Sequence, residues 1–297
     1  MVAITGASTP ERTAEVMDVA SLLACREYLY TLFHKLFGGV PSCELLEALT
    51  GDATEAALGA YAEGSEALAS AAGFLASLHD RASGELLDAA CDEYTRLFIG
   101  PAELVAYPWE SPYVSKQASV CQESTLAVRR AYEAHGLQPR KLLRVPDDHV
   151  SLMCAFLSRL AGEAREALSV GDLAALAAVQ REQESFVRGH LLGWLSEYAR
   201  FARRSKTAVL YPQMIEAFAD FVAVDAMFLG ESAFWAEGLA GVGASGEDVA
   251  ERALVDAARA YDAEESAACE QLVAETRKLA ALRLRGIEDN ELVSVAA

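Results

Sequence analysis

The sequence is short of histidine and of basic residues for its length. Only five histidines occur among 297 residues, and 25 lysines and arginines stand against 44 aspartates and glutamates. The formal net charge of −19 repels nucleic acid, whose binding depends on Lys and Arg meeting phosphates. An acidic chain attracts cationic partners instead, although its charge also serves solubility. We therefore predict no nucleic-acid partner.

Long apolar runs are missing as well. No stretch of about eighteen apolar residues is free of charges, as a membrane span requires. The most apolar segment, residues 208–229, carries Glu216, Asp220 and Asp225 at helical spacing. Residues 1–9 contain no basic segment followed by an apolar one, so we predict no secretion signal. From these features we expect a cytoplasmic location and no stable membrane insertion.

Residue patterns that bind metals or phosphates are not found. The six cysteines form no Cys-x-x-Cys pair or other ligand-like spacing. Most of them lie among apolar residues of predicted helices, where a thiol behaves as a small hydrophobic group. The sequence also contains no His-x-x-His pair and no glycine-rich phosphate loop. We predict no metal and no cofactor, and nucleotide binding stays undecided.

Helical periodicity dominates the chain, and strand signals are nearly absent. The first predicted helix starts near Ser8-Thr9-Pro10 and ends at Gly38-Gly39. Its two apolar stripes indicate burial over a wide face. No period of twenty to fifty residues repeats, which disfavours a solenoid. We predict an all-α fold, with a single helical bundle over residues 1–229.

Residues 230–297 differ in character from this bundle. Four glycines between positions 238 and 246 predict a flexible connector from Gly230 onward. An Ala-rich helix is predicted over residues 245–285, with an acidic first half and a basic end. We expect an extension outside the core of the bundle. Its basic end, residues 277–285, would fold back over an acidic groove, form an extra packing helix or serve as a dimerisation arm.

A loop rich in proline and aromatic residues follows the helix predicted to end near residue 100. Prolines at positions 101, 108 and 112 prevent regular helix there, and the loop carries Tyr107, Trp109 and Tyr113. A tryptophan held on a stiff loop is suited to form the wall of a groove. For Leu97 and Phe98, at the preceding helix end, core packing is the favoured interpretation.

Titratable residues recur at two further helix positions. Two aspartates and His149 follow Pro146 at a predicted helix start, where one aspartate is expected to cap the helix. His190 and Trp194 share a face of a later predicted helix at i, i+4. Core packing is the default interpretation of His149 and Trp194. An alternative interpretation joins Asp148, His149 and His190 as the site of a helical metal-dependent hydrolase.

Five motifs, in their order and spacing, resemble those of the TorD/DmsD family. They are Glu-Tyr-x-Arg-Leu-Phe-x-Gly-Pro at 93–101, Pro-Trp-Glu-Ser-x-Tyr at 108–113, Glu-Ser-Thr-x-x-Val-Arg-x-x-Tyr at 123–132, Pro-Asp-Asp-His at 146–149 and Phe-x-x-x-His-Leu-x-x-Trp at 186–194. The resemblance covers roughly residues 20–229. Their combination is far more specific than any one motif.

This resemblance implies an all-helical cytoplasmic chaperone and not an enzyme. Such a chaperone would bind the twin-arginine signal peptide and the catalytic subunit of a molybdoenzyme precursor of the dimethyl sulfoxide reductase type. It would assist cofactor insertion and proofread the precursor before export. The identity of the client and a homodimeric state stay open. A helical scaffold subunit of a membrane reductase complex is a second alternative.

By motif position, the resemblance also implies a peptide-binding groove. Asp148 and Glu110 would contact arginines through charge-assisted hydrogen bonds, and Trp109 would supply an apolar wall. Tyr107 and Pro112 depart from the family pattern, in which Pro and Val are expected, and this puts the shape of the groove in doubt. The predicted peptide-binding residues are Arg26, Tyr94, Leu97, Phe98, Pro108, Trp109, Glu110, Ser111, Tyr113, Pro146, Asp148, His149, His190 and Trp194.

Overall fold

The structure, a computed structural model, describes residues 9–62, 65–79, 84–100, 103–115, 123–205, 208–243 and 263–295. Within these ranges the prediction of an all-α fold is confirmed, because nearly all regular structure is helical. The described sheet consists of two antiparallel three-residue strands. None of the described helices combines the length and the apolarity that a membrane span requires.

The elements follow one another in a simple order. The helices are α1 (Thr9–Gly38), α2 (Cys43–Leu49), α3 (Asp52–Ala62), α4 (Glu66–His79), α5 (Gly84–Tyr94), α6 (Ser111–Val114), α7 (Glu123–Ala134), α8 (Val150–Val170), α9 (Leu173–His190), α10 (Leu195–Ala202), α11 (Tyr211–Gly243) and α12 (Ala263–Ala281). A π-helix (Thr95–Ile99) continues α5, and a 3-10 turn (Ile287–Asp289) follows α12. The strands are β1 (Leu137–Pro139) and β2 (Leu292–Ser294).

Helix α1 runs through the centre of the bundle. It packs along α8 on one side, while α9 packs along α11. Between Leu23 and Val40 every residue except Glu27 is buried, so the wide apolar face predicted from its two stripes extends around the helix. The helix ends at Gly38, as predicted, where a Cβ atom would clash with Ser151 and Ile287. The absent side chain lets the chain approach its neighbours closely.

A buried ion pair connects four helices at the centre of this core. Arg26 Nε lies 2.6 Å from Asp225 Oδ1, and neither side chain is exposed. Arg26 also donates to Gln183 at 2.7 Å, while the hydroxyls of Tyr30 and Tyr61 donate to the Asp225 carboxylate at 2.7 and 3.1 Å. The implied place of Arg26 in the peptide groove is therefore wrong for this structure. Its charge is used inside the core, where only hydrogen-bonded pairs are tolerated.

Helix α11 continues through the position where the sequence predicted a connector. Its single helix Tyr211–Gly243 includes Gly230, so the predicted break there is wrong. Trp235 and Leu239 are buried with Leu23 and Leu176 in a second, smaller hydrophobic core. That burial outweighs the roughly 1 kcal/mol that an internal glycine costs a helix. Residues 244–262, which hold the end of the predicted connector and the first part of the helix predicted over 245–285, lie outside the described ranges.

The C-terminal segment is also part of the bundle. Leu279, Leu284 and Ile287 belong to the main core, and Asn290 Nδ2 donates to the carbonyl of Gly38 at 3.0 Å. Strand β2 pairs with β1 in antiparallel register. The prediction of an extension outside the core is therefore wrong. Of the three arrangements considered for the segment, the described residues show the extra packing helix, since α12 packs along α1.

The buried ion pair gives a stability prediction. Asp225→Ala leaves the Arg26 guanidinium buried without its carboxylate, which costs about 3–5 kcal/mol of unfolding free energy. The double variant Arg26→Met with Asp225→Leu replaces both charges by apolar groups and should recover most of that loss. Urea unfolding followed by circular dichroism at pH 7 measures both values. Equal losses in the two variants would contradict the account of the pair.

Candidate functional site

The aromatic loop, residues 103–115, is fastened to the backbone at the start of α8. Val150 N donates to the Pro108 carbonyl at 2.8 Å, and Glu110 N donates to the Asp148 carbonyl at 3.2 Å. Trp109 and His149 face each other between these bonds as an antiparallel bridge. Two motifs far apart in the sequence thus meet as one short ladder of backbone hydrogen bonds.

Asp148 holds the loop through its side chain as well. Its Oδ2 accepts from Ser111 N at 2.8 Å, where the loop turns into α6. Both residues are fully buried, and Asp148 Oδ1 and Ser111 Oγ have no partner among the described residues. The prediction that an aspartate caps α8 is wrong. His149 caps this helix, because its Nδ1 accepts from Ser151 N at 3.2 Å.

His149 and His34 are neutral groups of the interior. Burial, aided by the neighbouring His34, lowers the pKa of His149 from 6.5 to about 3. Burial, aided by Lys35, lowers the pKa of His34 from 6.5 to about 4. The Nδ1 of His34 lies 3.1 Å from Ser151 Oγ. The interpretation of His149 as a core histidine agrees with this geometry.

Glu110 connects the aromatic loop to the end of α9. Its Oε2 lies 3.1 Å from the Nδ1 of His190. Burial raises the pKa of Glu110, and the hydrogen bond from His190 works in the opposite direction. Helix α9 ends at His190, and Trp194 comes just before α10. The continuous helix predicted through these residues is therefore interrupted, although Trp194 Nε1 still donates to the His190 carbonyl at 2.6 Å.

Aromatic rings fill the space between the loop and α10. Tyr113 stacks on buried Trp194 with ring centroids 5.2 Å apart, and its hydroxyl donates to the Tyr107 carbonyl at 2.9 Å. Tyr107 in turn lies 5.2 Å from Trp109, ring to ring. These contacts give the loop one defined shape, despite the departures from the family pattern at Tyr107 and Pro112. Pro112 lies in the first turn of α6, a short helix that the proline content did not predict.

Glu93 is a motif residue whose role was missed in the sequence. Its fully buried carboxylate accepts from the backbone N–H groups of Val209, Leu210 and Tyr211 at 2.7–2.9 Å. It therefore satisfies N–H groups that the start of α11 leaves without helical partners. The sequence gives no signal that singles out Glu93, because Asp92 and Arg96 are further charged residues beside it.

The same motif places its apolar residues mainly in the core. Tyr94 and Leu97 are buried, and half-buried Phe98 stacks on Tyr94 and Phe37 at 4.9 and 5.9 Å. Core packing, the favoured interpretation of Leu97, thus agrees with the structure. Ile99, the next residue, turns outward and is 62% exposed.

The predicted peptide-binding residues divide into two groups by burial. Those that are buried are Arg26, Tyr94, Leu97, Pro108, Glu110, Ser111, Asp148, His149 and Trp194. Those that remain partly exposed are Phe98, Trp109, Tyr113, Pro146 and His190. Sequence reasoning missed three exposed aliphatic residues in or beside the loop, namely Ile99, Val105 and Val114, at 62%, 48% and 56% exposure.

The residues of the hydrolase alternative do not converge on a common point. Asp148 turns to Ser111 N, His149 to Ser151 N and His190 to Glu110. Across the described ranges, no three side chains of His, Cys, Asp or Glu are grouped to hold a metal ion. The hydrolase alternative is not favoured.

The sequence is similar to one protein family model and to several named proteins. Residues 60–200 match the family model described as nitrate reductase delta subunit. The chaperone protein TorD of Vibrio cholerae serotype O1 is 27% identical over 154 residues, which cover 52% of this chain and 67% of TorD. The TorD of Photobacterium profundum is 25% identical over 143 residues, 48% of this chain and 64% of that protein. The probable Tat proofreading chaperone DmsD of Haemophilus influenzae is 29% identical over 103 residues, 35% of this chain and 43% of DmsD.

The chain is thus similar, over about half of its length, to named members of the TorD/DmsD family. The resemblance inferred from the five motifs is thereby confirmed. Members named in the comparison are chaperones, and the prediction that this chain is not an enzyme is confirmed on that basis. The matched residues 60–200 include both segments of the ladder, all of α9 and most of α10.

The two buried histidines predict a pH dependence of stability. In the unfolded chain their pKa returns to about 6.5, so below this pH the unfolded state binds protons that the folded state does not. The free energy of unfolding should then fall with falling pH until the folded values near 4 and 3 are reached. Each histidine contributes a slope of up to about 1.4 kcal/mol per pH unit.

Urea unfolding at pH 7, 6 and 5 measures this slope. His149→Asn keeps a side chain that caps helices well but removes one of the two titrating rings. The variant should show a shallower slope than the parent protein between pH 6 and pH 5. Parallel slopes would contradict a neutral, buried His149.

Proposed function

We propose that this chain is a cytoplasmic maturation chaperone that binds the twin-arginine signal peptide of a molybdoenzyme precursor. The observation that carries the proposal is a group of exposed apolar side chains on and beside the aromatic loop, in a protein whose relatives are named chaperones and Tat proofreading chaperones. We propose that these side chains form one surface. We call this surface the peptide face and define it by the outward parts of Ile99, Val105, Tyr107, Trp109 and Val114.

The peptide face suits the apolar segment of a signal peptide. The side chains of Ile99, Val105 and Val114 are about half exposed or more. Tyr107 and Trp109, which lie between Val105 and Val114 in the sequence, are half-buried. Contiguous exposed apolar patches mark interaction sites on soluble proteins. At about 25 cal/mol per Å², each ~60 Å² of apolar surface covered stabilises a complex by roughly 1.5 kcal/mol, about tenfold in Kd.

Acidic residues for the arginines must be accessible from solvent. Glu110 and Asp148, which the resemblance implied, are buried and hydrogen-bonded within the protein. Glu103 is exposed in the same loop, and its carboxylate accepts from the Tyr107 hydroxyl at 3.1 Å. We assign Glu103 as the acid that meets a guanidinium group. An exposed pair of this kind contributes up to about 1 kcal/mol, so apolar contact supplies most of the affinity.

The remaining expectations belong to the same proposal. Holding the catalytic subunit while its cofactor is inserted, and proofreading before export, require binding and release and no chemistry in this chain. A scaffold subunit retained in the finished enzyme would instead copurify with mature, cofactor-loaded enzyme. A homodimer and the identity of the client stay open.

Binding of a synthetic peptide tests the proposal. The peptide carries two consecutive arginines followed by an apolar segment, and the Kd is measured by isothermal titration calorimetry. Trp109→Ala and Val114→Asp should each raise the Kd by roughly tenfold to thirtyfold through lost apolar contact. Glu103→Gln should raise it only a few-fold and should reduce the preference for arginine over lysine in the peptide.

Matched controls are available elsewhere on the surface. Phe234 and Val170 are exposed to 60% and 59%, much as Val114 is, and Glu166 is an exposed glutamate on α8. Phe234→Ala, Val170→Asp and Glu166→Gln should leave the Kd unchanged. A parent protein that does not bind the peptide, or peptide-face variants that bind like their controls, would overturn the proposal.

A further inference from the structure

Two side chains of α7, those of Arg129 and Tyr132, form hydrogen bonds with Asp147, the residue that precedes Asp148. Arg129 donates through Nε and Nη2 to the two carboxylate oxygens of Asp147, at 3.2 and 2.6 Å. The hydroxyl of Tyr132 donates to the carbonyl oxygen of Asp147 at 3.0 Å. Asp147 is thus held through its side chain and its backbone together, in a geometry that fixes both its position and its orientation.

These contacts around Asp147 are mostly buried. Asp147 is 4% exposed, and Tyr132 is fully buried with its ring 5.1 Å from that of Phe156. The Arg129 side chain is 29% exposed, whereas the neighbouring pair of Arg130 and Glu123 is 60% and 80% exposed. A bidentate, shielded pair contributes more than an exposed one, because water and salt screen it less.

Three carboxylates are concentrated around this point. The Tyr132 hydroxyl donates to the Asp147 carbonyl, and Glu110 N donates to the Asp148 carbonyl, so backbone contacts bring the three acids together. Burial raises the pKa of Tyr132, and the three acids act on it in the same direction. Like charges in a shielded place repel one another unless cations offset them. Arg129 supplies a positive charge at Asp147, and His190 supplies a hydrogen bond at Glu110. Loss of the Arg129 charge should therefore move Asp147 and Asp148 away from the aromatic loop, because their repulsion is no longer offset.

We propose that Arg129 and Tyr132 are positioning residues for the peptide face. They act through Asp147, which sets the backbone of Asp148, and Asp148 in turn holds Glu110 and Ser111 of the aromatic loop. Neither positioning residue is part of the peptide face. The part of this inference that concerns peptide affinity rests on the proposed function, and the part that concerns the ladder does not.

Hydrogen exchange in the peptide-free protein tests directly whether Arg129 and Tyr132 position the aromatic loop. We call their contacts with Asp147 the clamp. The amides of Glu110 and Val150 donate across the ladder, so they report its opening. In Arg129→Gln and Tyr132→Phe these two amides should exchange about tenfold faster, as for the loss of about 1.4 kcal/mol of local stability. Arg129→Lys keeps the charge but loses the two-pronged contact, and should fall between Arg129→Gln and the parent protein.

The peptide Kd provides the second readout. It should rise about tenfold in Arg129→Gln while the amides inside α8 keep their protection. Arg130→Gln removes the same charge from the adjacent residue, where the ion pair is exposed, and should change neither readout. If the amides of Glu110 and Val150 exchange at the parent rate in both Arg129→Gln and Tyr132→Phe, the inference is overturned. Faster exchange with no peptide binding even by the parent protein would uphold the clamp and reject the proposed function.

Discussion

The backbone ladder between residues 108–110 and 148–150 is the constraint on which the site depends. Two hydrogen bonds, from Val150 to Pro108 and from Glu110 to Asp148, join a proline-rich loop to the backbone at the start of α8. Without them the loop would have no regular partner, because its prolines supply no N–H groups and interrupt helix. With them, Trp109 is presented from a fixed backbone.

The residues around the ladder are of two kinds: buried polar residues that hold the loop, and exposed apolar residues that are available to bind a partner. Asp148, His149 and Ser111 are buried and use their polar atoms inside the protein. The side chains of Val105 and Val114 are turned to water, although they gain nothing there. A stiff polar support beneath an apolar surface suits a chaperone, since binding then costs little ordering of the loop.

The helical class and several helix ends could be predicted from the sequence, because periodicity and end signals are local. The break at Gly230 was predicted from a local signal too, but burial of Trp235 against residues of three other helices decided that region. The caps of α8 could not be predicted, since the partners of Asp147 and Asp148 lie on α7 and in the aromatic loop. Motif resemblance located the site, yet it could not distinguish buried supports such as Asp148 from exposed contacts such as Val114.

Photo-crosslinking tests the central claim, that an apolar peptide segment lies on the peptide face, most directly. A twin-arginine peptide with one photoreactive residue in its apolar segment is crosslinked to the unmodified protein, and mass spectrometry maps the joined residues. The account predicts crosslinks within residues 99–114. Crosslinks confined to another surface, such as the cleft of about 360 Å³ lined by Glu44, Glu47, Asp52 and Glu275 between α2, α3 and α12, would contradict it.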